Sequence, residues 1–363
     1  MIIYILFFTY LIFGTIAFGN KNNSSYLRWA MIFLAGIIGL RSTEVGVDTS
    51  GYVENFKEFS SFTFDQLLVR LKDAKEPLYV LGTWLVGCIF NSSVAFIVFW
   101  GAFPCVAIYY ALKYEVKLAK GQLVSILCLF ALGLFAFFVA GIRQTAAISV
   151  VLLAYRCLTK EEILWKLSFL KSKQFLSFCL LMLIAYNIHN SSLLFILAVP
   201  LLKIRVSWWY FPIVISLFFI GSFMKIGFLT EMASLFFDDR FVSYGTTYES
   251  SQSINAFIMQ LILFTICYVK HEALVKRDAR NGYLFNVLMV GLVFQSFSGM
   301  IYEMARVAFY FSIFAIILVP KAIDEYAPSQ KVLLYVGFTV FVLIYLFFLS
   351  SGSLPEYNSA LFK

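Results

Sequence analysis

Two isolated arginines have the surroundings that most strongly indicate chemistry in this chain. Arg143, in the stretch FFVAGIRQTAAISV, has no charged neighbour within ten residues on either side. An arginine inside an apolar helix costs about 3 kcal/mol on insertion scales unless it faces a partner or water. Arg306, in YEMARVAFYFSIFAI, begins another apolar segment in the same way. We predict that both guanidinium groups face a polar cavity.

Each arginine also has a simpler interpretation. Arg143 could extend from the membrane interface toward lipid headgroups. Arg306 could be neutralised by Glu303, because residues at positions i and i+3 share one face of a helix. If neither holds, two cations are available whose planar shape donates paired hydrogen bonds to a phosphate group.

His189 is the candidate for proton transfer. It lies in the polar turn YNIHNSS, between the apolar segments 174–188 and 191–204. Helices of about 15 residues reach only ~22 Å, less than the ~30 Å of a bilayer core, so the turn is expected below the surface in a hydrated pocket. The side-chain pKa of histidine suits it to act as a general base there. The alternative is a structural histidine that closes the turn.

The stretch LRSTEVGVDTSGYVENF, residues 40–56, gathers charge in a chain with only 13% charged residues. Asp48 and Tyr52 would share one face if this stretch is helical, although Gly46 and Gly51 make a loop equally consistent. Asp48 could orient a sugar hydroxyl or accept its proton, and Tyr52 could stack on a ring. Arg41, at the end of an apolar segment, is the better candidate for binding.

A second polar segment, residues 236–253, reads FFDDRFVSYGTTYESSQS. Its Arg240, Tyr244 and Tyr248 are typical of a sugar-binding surface, because aromatic faces pack on sugar rings and polar groups bind hydroxyls. The adjacent carboxylates Asp238 and Asp239 have no further ligands nearby in the sequence, and we predict no metal site.

The elements that position these residues are apolar helices. The chain has 363 residues, of which 61% are hydrophobic, and a mean hydropathy of +0.87. Such a composition predicts an all-α, polytopic membrane protein, a single membrane domain over residues 1–363. About twelve spans are expected, at 2–19, 26–40, 92–112, 121–140, 142–158, 174–188, 191–204, 207–228, 254–269, 282–300, 304–320 and 332–350.

One apolar piece, 77–90, has too few residues to span and is predicted to be a short re-entrant or interfacial helix. With it omitted, the basic loop 159–173 and the acidic loop 41–76 fall on opposite sides. The positive-inside rule then places the basic loops in the cytoplasm and both termini outside. The first segment has no basic residue before it, so it is read as a retained helix rather than a signal peptide. The external loops 41–91 and 229–253 are expected to form part of the mouth of an active site.

Several function classes are disfavoured. The net charge of +8 lies in short loops, as membrane topology requires, and no basic face interleaved with aromatics indicates nucleic acid. The chain has no Walker motif and no dinucleotide fingerprint after a strand. We therefore predict no cofactor, and expect the driving energy to reside in the substrate or in an ion gradient.

The order of these motifs resembles the EpsG family of bacterial exopolysaccharide polymerases, Wzy-type enzymes related to the GT-C membrane glycosyltransferases. The resemblance covers residues 1–320 and rests on four patterns: R-x4-G-x-D-x3-Y (Arg41, Gly46, Asp48, Tyr52), RQ-x-A (Arg143, Gln144, Ala146), H-x-S-x-L (His189, Ser191, Leu193) and R-x3-Y-F (Arg306, Tyr310, Phe311).

This resemblance implies a GT-C-like fold and a reaction at the outer face of the bacterial inner membrane. A growing glycan on undecaprenyl diphosphate would be transferred to another lipid-linked repeat unit, giving O-antigen, capsule or exopolysaccharide. Its partners would be the lipid-linked donor and acceptor and membrane lipids, and could include a chain-length regulator and a flippase. Arg143 and Arg306, with Arg41, would stabilise the leaving diphosphate, and His189 or Asp48 would be the base. Substrate contacts would further come from Gln144, Glu303 and Tyr310.

Other activities remain open on the sequence. A flippase for lipid-linked oligosaccharides also needs a cationic cavity, although it should carry polar residues through the whole membrane depth. An O-antigen ligase shares the donor and the chemistry. An ion-coupled transporter is disfavoured because few carboxylates lie within the apolar segments.

Overall fold

The computed structural model describes residues 1–19, 24–158, 172–202, 204–223, 251–298, 303–349 and 354–360. The structure is 82% helical, and no β-strand occurs among the residues it describes. The all-α fold class predicted from composition is therefore confirmed. The chain forms two compact units, the first made of Met1–Ile196 with Tyr326–Lys363 and the second of Leu197–Glu325.

The first unit contains ten helices in the described residues before position 189. They are α1 (Ile2–Phe18), α2 (Ser24–Gly39), α3 (Thr49–Ser60), α4 (Phe64–Asp73), α5 (Pro77–Phe90), α6 (Ser93–Glu115), α7 (Ala119–Ala131), α8 (Leu134–Ala140), α9 (Ile142–Leu158) and α10 (Lys173–Ile188). Helix α9 is at the centre: almost all of its side chains are buried, and it packs against α10 and α6.

The segment 41–91, predicted as an external loop, contains three of these helices. Helix α3 begins after Asp48, and the Tyr52 N–H donates to the Asp48 carbonyl (3.1 Å), so the stretch 40–56 is helical from Thr49 onward, whereas residues 42–48 form a turn. Helix α5 has the predicted bounds. Pro77 occupies the first turn of α5, where no N–H is required. The helix is followed by Asn91, which adopts the left-handed conformation.

The predicted span 121–140 is divided into α7 and α8, which are bent by 62°. Gly133 separates them with a φ of +72°, which L side chains rarely adopt. After α10, a 3₁₀ helix, Asn190–Leu197, follows His189 directly.

The second unit is also helical. Its helices are α11 (Ala198–Leu201), α12 (Tyr210–Phe223), α13 (Ser251–Tyr268), α14 (His271–Arg277), α15 (Arg280–Ser296), α16 (Glu303–Ser312) and α17 (Ala315–Ile323). Helix α15 packs against α12, α13 and α16. The predicted span 304–320 is divided into α16 and α17, which are bent by 50°.

The chain returns to the first unit as α18 (Pro328–Ile344), which continues through a π-helical turn, and ends in a tail, 354–360. Two helices in the described residues, α6 and α18 with its π turn, are long and apolar enough to cross a membrane, or five if each bent pair counts as one span. The number of about twelve spans and the single membrane domain stay predictions.

Candidate functional site

A buried carboxylate joins two of the residues that the sequence singled out for chemistry, Arg143 and His189. The Glu76 Oε2 atom accepts a hydrogen bond from Arg143 Nη1 at 2.5 Å, and Glu76 Oε1 contacts His189 Nδ1. These residues lie 67 and 113 positions from Glu76 in the chain. Folding thus places a cation and a potential base on the two oxygens of one side chain.

All three residues lie at the ends of helices, and these ends meet in the fold. Glu76 immediately precedes α5, Arg143 is in the first turn of α9, and His189 caps the end of α10 with its N–H on the Ala185 carbonyl (2.8 Å). Helices α9 and α10 are neighbours, and the contacts of Glu76 with Arg143 and His189 place the start of α9 beside the end of α10.

Local contacts hold both sides of this arrangement. The side-chain amide of Asn190, oriented so that its nitrogen meets two carbonyls, donates to Lys75 O at 2.8 Å and to Tyr186 O at 3.2 Å. This links the turn after His189 to the residue before Glu76. At the start of α9, Gly141 lies so close to Phe137 that a Cβ there would be 2.7 Å from the Phe137 ring.

Two tyrosines form an aromatic surface around the guanidinium group. Arg143 Cζ lies 5.5 Å from the ring centroids of both Tyr52 and Tyr79. These rings are 6.3 Å apart and meet edge to face. A cation within about 6 Å of an aromatic face is attracted by the ring quadrupole, so both rings restrain Arg143.

The cluster is buried at Glu76 and open at its other two members. The side-chain exposure is 10% for Glu76, 38% for Arg143 and 25% for His189. Burial by itself raises the pKa of the Glu76 carboxyl, but the hydrogen bonds and charges of His189 and Arg143 outweigh it and hold that pKa below its ordinary value of 4.5. Glu76 is therefore ionised at neutral pH, and an approaching ligand would meet Arg143 and His189.

Arg41 has different surroundings from those of Arg143. It is 1% exposed, and its guanidinium group donates to the carbonyls of Ile38, Val45 and Val139 and to the Thr49 hydroxyl. Burial lowers the pKa of Arg41 to about 10, so the group stays protonated at neutral pH. Its predicted contact with substrate stays a prediction.

Of the other predicted site residues in the first unit, Asp48 lies partly exposed at the start of α3, and Gln144 is buried beside Arg143. Glu303, Arg306 and Tyr310 all belong to α16 of the second unit, where Tyr310 is fully buried and the other two are partly exposed. The residues Arg240, Tyr244 and Tyr248, with most of the predicted loop 229–253, lie outside the described residues.

Sequence reasoning missed Glu76 and Tyr79. One local signal was present: Glu76 is an acidic residue directly before a proline-initiated apolar helix, where a carboxylate favours the positive end of the helix dipole. Among described residues, no three His, Cys, Asp or Glu side chains gather as a metal site would require, and the use of a metal stays untested.

A comparison with protein-family models gives a match to the EpsG family over residues 24–362, nearly the whole chain. The chain belongs to the EpsG family. This family is associated with glycosyltransferase-like polysaccharide polymerases, and together with the apolar helices it indicates a membrane-embedded protein. Neither the curated proteins nor the solved structures gave a match.

Proposed function

We propose that this protein polymerises oligosaccharide repeat units carried on undecaprenyl diphosphate, at the outer face of the bacterial inner membrane. Membership of the EpsG family supports polysaccharide polymerisation as the activity class. The observation that carries the mechanism is Glu76, which holds Arg143 and His189 on its two carboxylate oxygens.

The contact with the Glu76 carboxylate supports His189 as the base. Ionised Glu76 can only accept hydrogen bonds, so its contact with His189 Nδ1 requires the ring proton on that nitrogen. In the neutral imidazole, the Nε2 atom then carries the lone pair that can accept a proton. His189 is therefore preferred over Asp48 as the group that takes the proton of the acceptor hydroxyl, with Glu76 as the residue that orients it.

Arg143 is proposed to stabilise the leaving group. Its side chain is more exposed than that of Glu76, so a phosphate group can reach the guanidinium from its open side. The guanidinium group is held by Glu76, Tyr52 and Tyr79 before substrate arrives, and a preorganised cation stabilises developing charge without reorganisation during the reaction.

The reaction is a single glycosyl transfer. The acceptor hydroxyl oxygen forms a bond to the anomeric carbon of the growing glycan, while the bond from that carbon to the diphosphate oxygen breaks. The electron pair leaves with undecaprenyl diphosphate, beside Arg143, and the hydroxyl proton passes to His189 Nε2. Because the donor carries an activated bond, no nucleotide or resident cofactor enters this scheme.

The test is a polymerisation assay with purified protein in lipid. Lipid-linked repeat units are supplied without nucleotide, and the length ladder of the product is measured. We expect His189→Gln to lower the rate by about 10²–10⁴-fold, the usual contribution of a general base. The matched control is His271→Gln, because His271 stacks on Tyr268 in the second unit.

Each outcome decides between functions. A ladder from the wild-type protein supports a polymerase. Translocation of the lipid in a parallel transport assay, without a ladder, would support a flippase. Transfer to lipid A core alone, when that core is supplied as a second acceptor, would support a ligase. Normal activity of His189→Gln would overturn the assignment of the base.

A further inference from the structure

The guanidinium group of Arg41 is buried and donates its hydrogen bonds to oxygen atoms of the protein itself. Its Nη2 atom lies 2.7 Å from Val139 O and its Nε atom 3.3 Å from Val45 O, while Nη1 donates to Ile38 O. The planar guanidinium fork suits such a role because it can donate to several acceptors from one fixed plane. Arg41 therefore links three segments of backbone.

Two of these segments lead directly to the site. Val139 is four residues before Arg143, and Thr49, whose hydroxyl lies 3.4 Å from Arg41 Nη2, is three residues before Tyr52. Arg143 in turn lies over the Tyr52 ring. The Arg41 side chain thus links the start of α3, which carries Tyr52, to the end of α8, directly before the helix that carries Arg143.

The turn around Arg41 is built for close approach. Gly46 has a φ of +95°, and a Cβ at this position would be 2.8 Å from Val139 O and 2.7 Å from Thr49 Oγ1. These are two of the acceptors that Arg41 binds. The glycine lets the turn approach the end of α8 closely enough for one guanidinium to reach both sides.

The C-terminal tail braces Arg41 from outside. Ser42 N–H donates to Asn358 O at 2.6 Å and Ala360 N–H donates to Leu40 O at 2.9 Å, an antiparallel bridge that flanks Arg41 on both sides. The tail is held further by Tyr4, whose hydroxyl donates to Pro355 O at 2.8 Å.

We infer that Arg41, braced by the C-terminal tail, is a positioning residue that sets Arg143 against Tyr52, and that it acts on the diphosphate only through Arg143. The consequence for substrate rests on the proposed function; the bracing of the two segments does not. Arg41 is 1% exposed and its guanidinium group donates to backbone carbonyls of neighbouring segments, so it acts by fixing the geometry of those segments.

A double-mutant cycle tests this inference. Binding of undecaprenyl diphosphate to the purified full-length protein is measured for Arg41→Gln, Arg143→Gln and the double variant, with the exposed Arg28→Gln on α2 as control. We expect Arg41→Gln to weaken binding about tenfold when Arg143 is present. In the Arg143→Gln background it should cause no further loss, because the effects of coupled residues on binding free energy are not additive. If the two losses multiply, Arg41 contacts the ligand itself and the inference is wrong.

A second measurement does not depend on the function. Hydrogen–deuterium exchange is expected to accelerate in residues 45–53 and 139–146 of Arg41→Gln, and to match wild type in Arg28→Gln. Unchanged exchange would overturn the bracing role. If wild-type protein does not bind the lipid, the proposed function fails while the exchange result still decides the role of Arg41.

A milder variant covers the case in which Arg41→Gln does not fold. Ala360→Pro removes the N–H that donates to Leu40 O, because proline has no amide hydrogen, and leaves the Arg41 side chain in place. We expect it to accelerate exchange in the same two segments and to weaken lipid binding by less than Arg41→Gln does. Wild-type exchange in both segments of this variant would contradict the brace.

Discussion

Replacing Glu76 by glutamine distinguishes the contact of Glu76 with Arg143 from its contact with His189. The amide has one acceptor oxygen and one donor nitrogen, whereas the carboxylate has two acceptors. Arginine can only donate, so the oxygen must face Arg143 and the NH₂ group must face His189 Nδ1. The imidazole proton then moves to Nε2, and His189 can no longer accept a proton there.

The expected effect on stability is modest. A hydrogen bond to a charged group contributes about 1.5–3 kcal/mol. The Arg143 side chain is 38% exposed, so solvent screening brings its bond with Glu76 toward about 1 kcal/mol. The glutamine oxygen retains part of this contact. We expect Glu76→Gln to lower the free energy of unfolding by about 2 kcal/mol in all, mostly through the buried side chain.

The expected effect on catalysis is larger. Loss of the base should lower kcat by about 10²–10⁴-fold. The donor KM should not rise, because Arg143 loses its internal counter-ion and keeps its charge for the diphosphate. The assay is initial-rate polymerisation with purified protein, alongside thermal unfolding in the same detergent. Glu58→Gln, an exposed change on α3, is the matched control.

The kinetic pattern is the decisive part of this experiment. A kcat near that of wild type would refute the orientation of His189 by Glu76. A loss that arises entirely from a higher KM would also refute it, because it would assign Glu76 to substrate binding.

Three further predictions concern the same unit. The lowered pKa of Glu76 adds stability that is present above pH 4.5, the ordinary pKa of the group, and is lost as the pH falls toward the folded-state pKa. The unfolding midpoint of the wild-type protein should therefore fall more steeply below pH 4.5 than that of Glu76→Gln. Parallel curves for the two proteins would contradict this prediction. Gly46→Ala places a Cβ 2.8 Å from a carbonyl oxygen at a residue with positive φ, and should cost at least ~1 kcal/mol of unfolding free energy. The control Gly51→Ala, where no atom lies within 4 Å of the added Cβ, should cost none. Equal melting temperatures of the two variants would be inconsistent with a tight turn at Gly46. Tyr52→Leu removes both the ring 5.5 Å from Arg143 and the hydroxyl that hydrogen-bonds it, whereas Tyr52→Phe removes only the hydroxyl. The leucine variant should therefore be less stable than the phenylalanine variant by about 0.5–1 kcal/mol of unfolding free energy, and equal stabilities would argue against the cation–π contact.

Local sequence patterns predicted several parts of the site. The bounds of α5 follow from its apolar run and from Pro77, which favours a helix start. The turn at His189 follows from the polar interruption between two short apolar segments. Asp48 and Tyr52 lie at the start of one helix, as the N-cap and in the first turn of α3, and their i, i+4 spacing is local. All of these features depend on residues within a few positions of one another.

The remaining parts depend on tertiary contacts that leave no local pattern. Glu76 meets its partners across 67 and 113 positions, and a carboxylate in a polar loop is ordinarily solvated. The burial of Arg41 follows from carbonyls supplied by separate segments, including Val139 at a distance of 98 positions. The break at Gly133 had a visible signal, a glycine inside an apolar run, although only the folded backbone gives it a positive φ.

The most direct measurement of the central claim is an experimental structure of the protein with undecaprenyl diphosphate bound in a lipid nanodisc. We expect a phosphate oxygen at about 3 Å from the Arg143 guanidinium, with Glu76 still in contact with His189. A diphosphate bound elsewhere, with Arg143 paired only with Glu76, would contradict the account.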